Sequence, residues 1–264
     1  QFWLAKKKNK KIAYRPVVDT EAETIDFELL AGPNVIPNVE TPRQVETPRR
    51  GVSTGGSTRV GSLEQAMNNG FDPKDGTVSR ANASCPVCGQ VTKAEQTRQL
   101  ARDGHMGERM VAVVLHHPDE VGKKYRLATD ADRETFAKVE ARLEETLADW
   151  PYPESPLPKE EMSTYEPSRV SPPLYGMVRW KDLFNLRQQL ALVTFLERIK
   201  ANYEHIVEES GGFVIQEKLD VDAEVLAQAV TAYIGIVFSR TVDKSTSLAR
   251  WHNSGEKIEA TFSR

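Results

Sequence analysis

Residues 31–76 do most to limit what this chain can fold into. Val39-Glu-Thr-Pro-Arg43 recurs as Val45-Glu-Thr-Pro-Arg49, and Gly51-Val-Ser-Thr-Gly-Gly-Ser57 follows. Repeated Pro, Gly, Ser and Thr with few large apolar residues cannot offset the entropy of ordering the backbone. We therefore expect a long flexible insertion over 31–76, with packed structure on either side of it. The glycines at 51, 55, 56 and 61 do not make a phosphate loop. No strand precedes them and no Gly-Lys-Ser/Thr follows.

The 264 residues suit one large domain or two smaller ones. Charge is nearly balanced, 35 basic against 38 acidic residues, so any nucleic-acid surface must be local. The longest apolar run, residues 233–238, is too short to cross a bilayer, and no membrane partner is expected. No signal-peptide pattern opens the chain, and its two cysteines fit a reducing, cytoplasmic setting. The chain opens at Gln1 on an apolar Phe2-Trp3-Leu4 and stops at Thr261-Phe-Ser-Arg264, which we read as a segment of a longer protein.

Residues 1–15 set Lys6, Lys7, Lys8, Lys10, Lys11 and Arg15 between Trp3-Leu4 and Ile12-Ala13-Tyr14. This reads as a hairpin with a basic turn through Asn9. Its lysines are either a solvated turn or candidates for DNA-phosphate contact. A short strand is expected over 77–80, and a β-prone run over 110–115 can pair with 123–127 across a turn at 118–122. Residues 129–149 read as one amphipathic helix. Thr129 is its N-cap and Asp132 its capping-box partner, and Phe136, Val139, Leu143 and Leu147 form its apolar stripe.

A proline-rich linker fills 150–173, and 174–264 read as helical. Asn185 and Gln188 cap a helix to about His205, with Leu186, Leu190, Val193 and Leu196 inward. Gly211-Gly212 breaks the chain. Asp222 then caps a second helix, with Leu226, Ala229, Tyr233, Ile236 and Val237 inward. The expected class is α+β: a partial zinc-ribbon-like β region, with its first β-hairpin over 1–30 and its second part over 77–128, followed by the helical region.

Cys85-Pro-Val-Cys88-Gly89 is the sharpest chemical signal. Such a turn converges two thiolates on one side, as in a zinc knuckle, but zinc takes four ligands. Three readings stay open. The site is half of a zinc ribbon whose other cysteines precede Gln1, or a Cys-Cys-His site drawing on His105, His116 or His117. Otherwise the pair is redox-active or structural. Ser171-Pro-Pro-Leu-Tyr175 differs by the extra Leu174 from the Asp/Asn/Ser-Pro-Pro-Tyr motif of amino-group methyltransferases, and reads as a proline-rich lead-in. Arg187 and Gln188 can contact phosphate or a base edge, or cap and pack.

Several stretches together resemble one family. They are Phe2-Trp3-Leu4-Ala5-Lys6-Lys7-Lys8 with Tyr14-Arg15-Pro16, and Gly76-Thr77-Val78 leading to Cys85-Pro-Val-Cys88-Gly89. Arg109-Met-Val-Ala-Val-Val114 and Tyr125-Arg126-Leu127-Ala-Thr-Asp-Ala-Asp132 belong with them. The most specific is Tyr175-Gly-Met-Val-Arg-Trp180-Lys-Asp-Leu-Phe184-Asn-Leu-Arg187-Gln188-Gln-Leu190-Ala-Leu192. The family is that of prokaryotic adenine-specific DNA methylases containing a zinc ribbon, some encoded with anti-phage defence genes.

The resemblance implies a central segment, inserted between the halves of an α/β methyltransferase fold, with the S-adenosylmethionine motif upstream and the catalytic motif downstream. It implies zinc at Cys85 and Cys88, and DNA, the remainder of the methylase and defence-system proteins as partners. It carries over no catalytic or cofactor residue. Lys6, Lys7, Lys8, Lys10, Lys11 and Arg187 remain DNA-contact candidates. The alternative is a non-catalytic zinc-ribbon adaptor that binds nucleic acid or protein.

Overall fold

Three pairs of adjacent apolar residues, Trp3-Leu4, Ile12-Ala13 and Leu29-Leu30, organise the first part of this computed structural model. It describes residues 1–33, 60–163, 171–217 and 221–262. The class is α+β, 41% helix and 21% strand. Two compact units are present: a β unit of 1–133 with 251–257, and a helical unit of 134–250 with 258–264.

In the β unit, β1 (Trp3–Lys7), β2 (Lys10–Asp19) and β3 (Thr24–Ala31) run antiparallel in order. β4 (Val60–Ser62) joins parallel to β3 through Leu29–Val60, Leu30–Gly61 and Ala31–Ser62. Adjacent strand residues face opposite sides of a sheet, so each apolar pair feeds both faces. On one face Trp3, Ala13 and Leu30 pack with Leu63 and Ala66 of α1 (Leu63–Asn68) and with Phe71. On the other, Leu4, Ala5, Ile12 and Leu29 pack with Tyr125, and Trp251 lies at the margin.

The flexible insertion expected over 31–76 therefore gives way to packed structure before residue 76. Both Val-Glu-Thr-Pro-Arg copies lie outside the described residues. Residues 60–76 instead supply β4, α1 and Phe71. Ser62 caps α1 by accepting from the Gln65 amide at 3.3 Å, and Leu63 is 2% exposed. One capped turn and two apolar anchors outweigh the surrounding Gly and Asn.

β5 (Val78–Ser79), β6 (Asn82–Ser84) and β7 (Val91–Thr92) form a small antiparallel sheet, followed by α2 (Ala94–Arg102). β8 (Ala112–Leu115) pairs with β9 (Lys124–Leu127) in the register Ala112–Leu127 to Leu115–Lys124.

The single helix expected over 129–149 is two: α3 (Asp130–Ala137) and α4 (Val139–Ala148), parted at Lys138. The capping box holds. Thr129 N donates to Asp132 Oδ2 at 2.8 Å, and Asp132 N donates to Thr129 Oγ1 at 3.3 Å. Arg126 donates to the same carboxylate at 2.8 Å. Its hydrogen bond, with Thr129's, outweighs burial and holds Asp132 well below the usual carboxylate range.

In the helical unit, α4 packs on α5 (Leu186–Ala201), where Val193 is 1% exposed. Asn185 and Gln188 cap α5 reciprocally, at 3.0 and 2.9 Å. α5 stops at Ala201 rather than His205, because Asn202 folds its side-chain amide back onto Arg198 O at 2.7 Å. Gly211-Gly212 do not break the chain: α6 (Tyr203–Glu217) runs through them. Two helical glycines cost about 2 kcal/mol against alanine. The packing of α6 on α7 (Ala223–Lys244) offsets that cost.

Asp222 caps α7 as expected, at 2.8 Å from Glu224 N. The inward face of α7 differs in part from the one expected: Leu226 is partly covered, while Ala229, Tyr233, Ile236 and Val237 are exposed. Ala227 is fully buried, with Ala223, Thr231, Ile234, Phe238 and Val242 partly covered along its line. Tyr233, Ile236 and Val237 are 73%, 63% and 59% exposed. α7 is apolar nearly all round, so periodicity does not choose its buried side. By length and composition alone it reaches what a membrane-crossing helix requires. Ala, Gly, Thr and Ser interrupt the apolar run without adding charge.

Candidate metal knuckle and basic hairpin

The Cys85–Cys88 turn grows out of the β5–β6–β7 sheet. β5 and β6 are joined by Arg80-Ala81, both at positive φ (49° and 65°), as a two-residue hairpin turn with the strands' own twist requires. β6 leads directly into Cys85. Cys85 N donates to Gln90 O at 2.8 Å, and Gly89 N donates to Cys85 O at 2.9 Å, closing the turn. Gly89 has φ +74°, a conformation that glycine adopts without strain. Asn82 Oδ1 accepts from Ala94 N at 2.8 Å, so the same hairpin also caps α2.

Backbone amides are aimed at sulfur here. Hydrogen bonds from the Cys88 amide first, then the Val87 amide, then the Cys88 side chain, pull the Cys85 thiol below its ordinary value. A lowered thiol on an exposed tight turn has the donor chemistry of half a thiolate metal site. The fit to zinc goes that far. Among the described residues no group of three or more His, Cys, Asp or Glu converges to hold a metal. His116 Nδ1 lies 3.4 Å from Gly122 O, and His117 Nδ1 lies 3.8 Å from Asp119. His105 follows the end of α2 and is exposed.

The basic hairpin splits into lysines used by the fold and lysines offered to solvent. Lys6 Nζ stands 5.8 Å from the Trp3 ring centroid. Lys7 pairs with Glu256, and Lys10 Nζ donates to Glu256 Oε1 at 2.7 Å. Lys8 and Lys11 are exposed. Arg187 is exposed in the first turn of α5, in the helical unit.

Glu256 is the residue that sequence reading missed. It is 4% exposed, and Tyr125 Oη also donates to it, at 2.7 Å. Lys123 Nζ donates to its backbone carbonyl, and Lys10 Nζ also donates to Lys123 O. Burial alone raises this carboxyl, but hydrogen bonds from Lys10, Lys7 and Tyr125 overcome it and hold the group at about 2. Burial first, then the bond to Glu256, push the Tyr125 hydroxyl up. No local pattern announces this clamp, since Glu256 meets Lys10 across 246 positions of sequence.

No protein-family model, curated protein or solved structure matches the chain.

Proposed function

We propose that this chain is the central segment of an S-adenosylmethionine-dependent DNA methyltransferase acting on the exocyclic amine of adenine. Its part is to support DNA binding and target recognition, with zinc held through Cys85 and Cys88. The observation that carries this reading is the knuckle itself: two cysteines on a turn whose amides face Cys85 Sγ. The likeness of residues 175–192 to zinc-ribbon adenine methylases supports the same reading.

S-adenosylmethionine supplies the methyl group when bound to the whole enzyme. The residues of this chain bind and position. Cys85 and Cys88 give two of zinc's four ligands, and Lys8 and Lys11 offer charge to DNA phosphates. Lys7 and Lys10 hold the hairpin through Glu256.

Zinc content and methyl incorporation into adenine, measured on the full-length protein, test the proposal. Cys85→Ser with Cys88→Ser is expected to remove zinc and lower methylation and DNA affinity together. A wild-type protein without zinc, or methylation untouched by the double substitution, sinks the reading. Zinc-dependent DNA binding with no methyl transfer supports the adaptor instead.

A further inference from the structure

In the helical unit a cleft of about 450 Å³ opens where the end of α4 meets the proline-rich segment that follows it. Leu147, Trp150, Tyr152 and Leu157 give it apolar and aromatic surface, and Lys159 and Lys181 give it positive charge. The aromatic pair is set edge to face, with centroids 5.1 Å apart. Trp150 Nε1 donates to Glu154 O at 2.8 Å, which fixes the indole. Glu154 also lines the cleft, but its carboxylate lies 3.5 Å from Lys200, whose Nζ sits 4.6 Å from the Tyr152 ring centroid. The one lining carboxylate thus has its own cation. Among the described residues, Lys159 and Lys181 have no carboxylate at ion-pair distance.

We propose that this cleft binds a nucleotide unit, its base stacked on Trp150 and its phosphate at Lys159 and Lys181. The volume falls in the range of small-ligand sites, roughly 300–1,000 Å³, and suits one extruded or free nucleotide rather than a duplex. A held indole offers a π-face to any base, and lysines offer point charges to phosphate. A purely apolar ligand has no use for the two cations, and a bare anion has no use for the aromatic pair. This inference does not rest on the methylase reading, since neither cysteine nor any hairpin lysine lines the cleft.

The free nucleotide and the nucleotide within a single strand share this chemistry. Two probes separate them: deoxyadenosine monophosphate, followed by tryptophan fluorescence, and a fluorescein-labelled twelve-residue oligo(dT), followed by anisotropy. Trp150→Ala is expected to weaken binding roughly 5- to 100-fold, the loss typical of one base stack. Trp150→Phe should restore most of it. Lys159→Ala with Lys181→Ala should flatten the dependence of log affinity on log salt, and stands as the test if Trp150→Ala fails to fold by circular dichroism.

These losses with the mononucleotide assign the cleft to a free ligand. With the oligonucleotide alone, they assign it to a strand. Neither cysteine lines the cleft, so the mononucleotide arm is read on Trp150, Lys159 and Lys181 alone, which keeps this test apart from the zinc one. Neither probe binding to the wild-type chain, or binding indifferent to both the tryptophan and the lysine substitutions, overturns the proposal.

Discussion

The two units bury their apolar residues in different ways. In the β unit Trp3, Leu4, Ile12, Leu29 and Leu30 are covered on the two faces of one sheet, with Leu29 and Leu30 each 1% exposed. The charges nearest that core are paired, with Glu256 taking Lys7, Lys10 and Tyr125. In the helical unit burial is thin. Val193, Leu143, Leu183 and Ala227 are covered, while Phe195, Phe213, Tyr233, Ile236 and Val237 are each more than half exposed. A sheet with apolar residues on both faces has to be enclosed to exist at all. A helix needs only one covered stripe, so apolar residues can remain on its free side.

The contrast can be broken by substitution. Leu30→Ala should have the largest effect, a loss of roughly 3–4 kcal/mol in urea unfolding followed by tryptophan fluorescence. A loss under 1 kcal/mol means that the sheet is not enclosed as described. Glu256→Ala should cost about 2 kcal/mol, because it leaves the buried Tyr125 hydroxyl without its acceptor and removes the carboxylate partner of Lys10.

The clamp also has a pH signature. The folded-state value of Glu256, about 2, lies below the ordinary 4.5. Its contribution is therefore complete above pH 4.5 and fades as pH falls toward 2. Unfolding curves of the wild type and Glu256→Ala should converge across that window; a constant gap removes the clamp from the account. Smallest of all, Ile236→Ser should change stability by no more than about 0.5 kcal/mol, as substitution at an open surface does. A loss near 2 kcal/mol would show that this side of α7 is covered in solution.

Local rules carried much of the secondary structure. Asn9 marked the first turn, Asp222 the start of α7, and Thr129 with Asp132 the start of α3, because caps and turns depend on a few neighbouring side chains. What failed depended on partners far away. Gly211-Gly212 read as a break, yet α7 holds α6 together across them. The inner side of α7 could not be chosen because Ala229 and Ile236 are as apolar as Ala227 and Phe238. In the candidate site, Cys85 and Cys88 were visible as a motif. The division of lysines between fold and solvent was not, since it is set by Glu256, Lys123 and Tyr125.

The parallel pairing of β3 with β4 has a kinetic side. A parallel neighbour has to be reached by a crossover connection, so Leu29–Val60 and Leu30–Gly61 join residues distant in sequence. The entropy of closing such a loop has to be met before those contacts stabilise the chain, which makes long-range parallel pairing slow to form. The hairpin of β1 and β2 closes across two residues, between Lys7 and Lys10. The sheet therefore has a fast-zipping side and a late-arriving one.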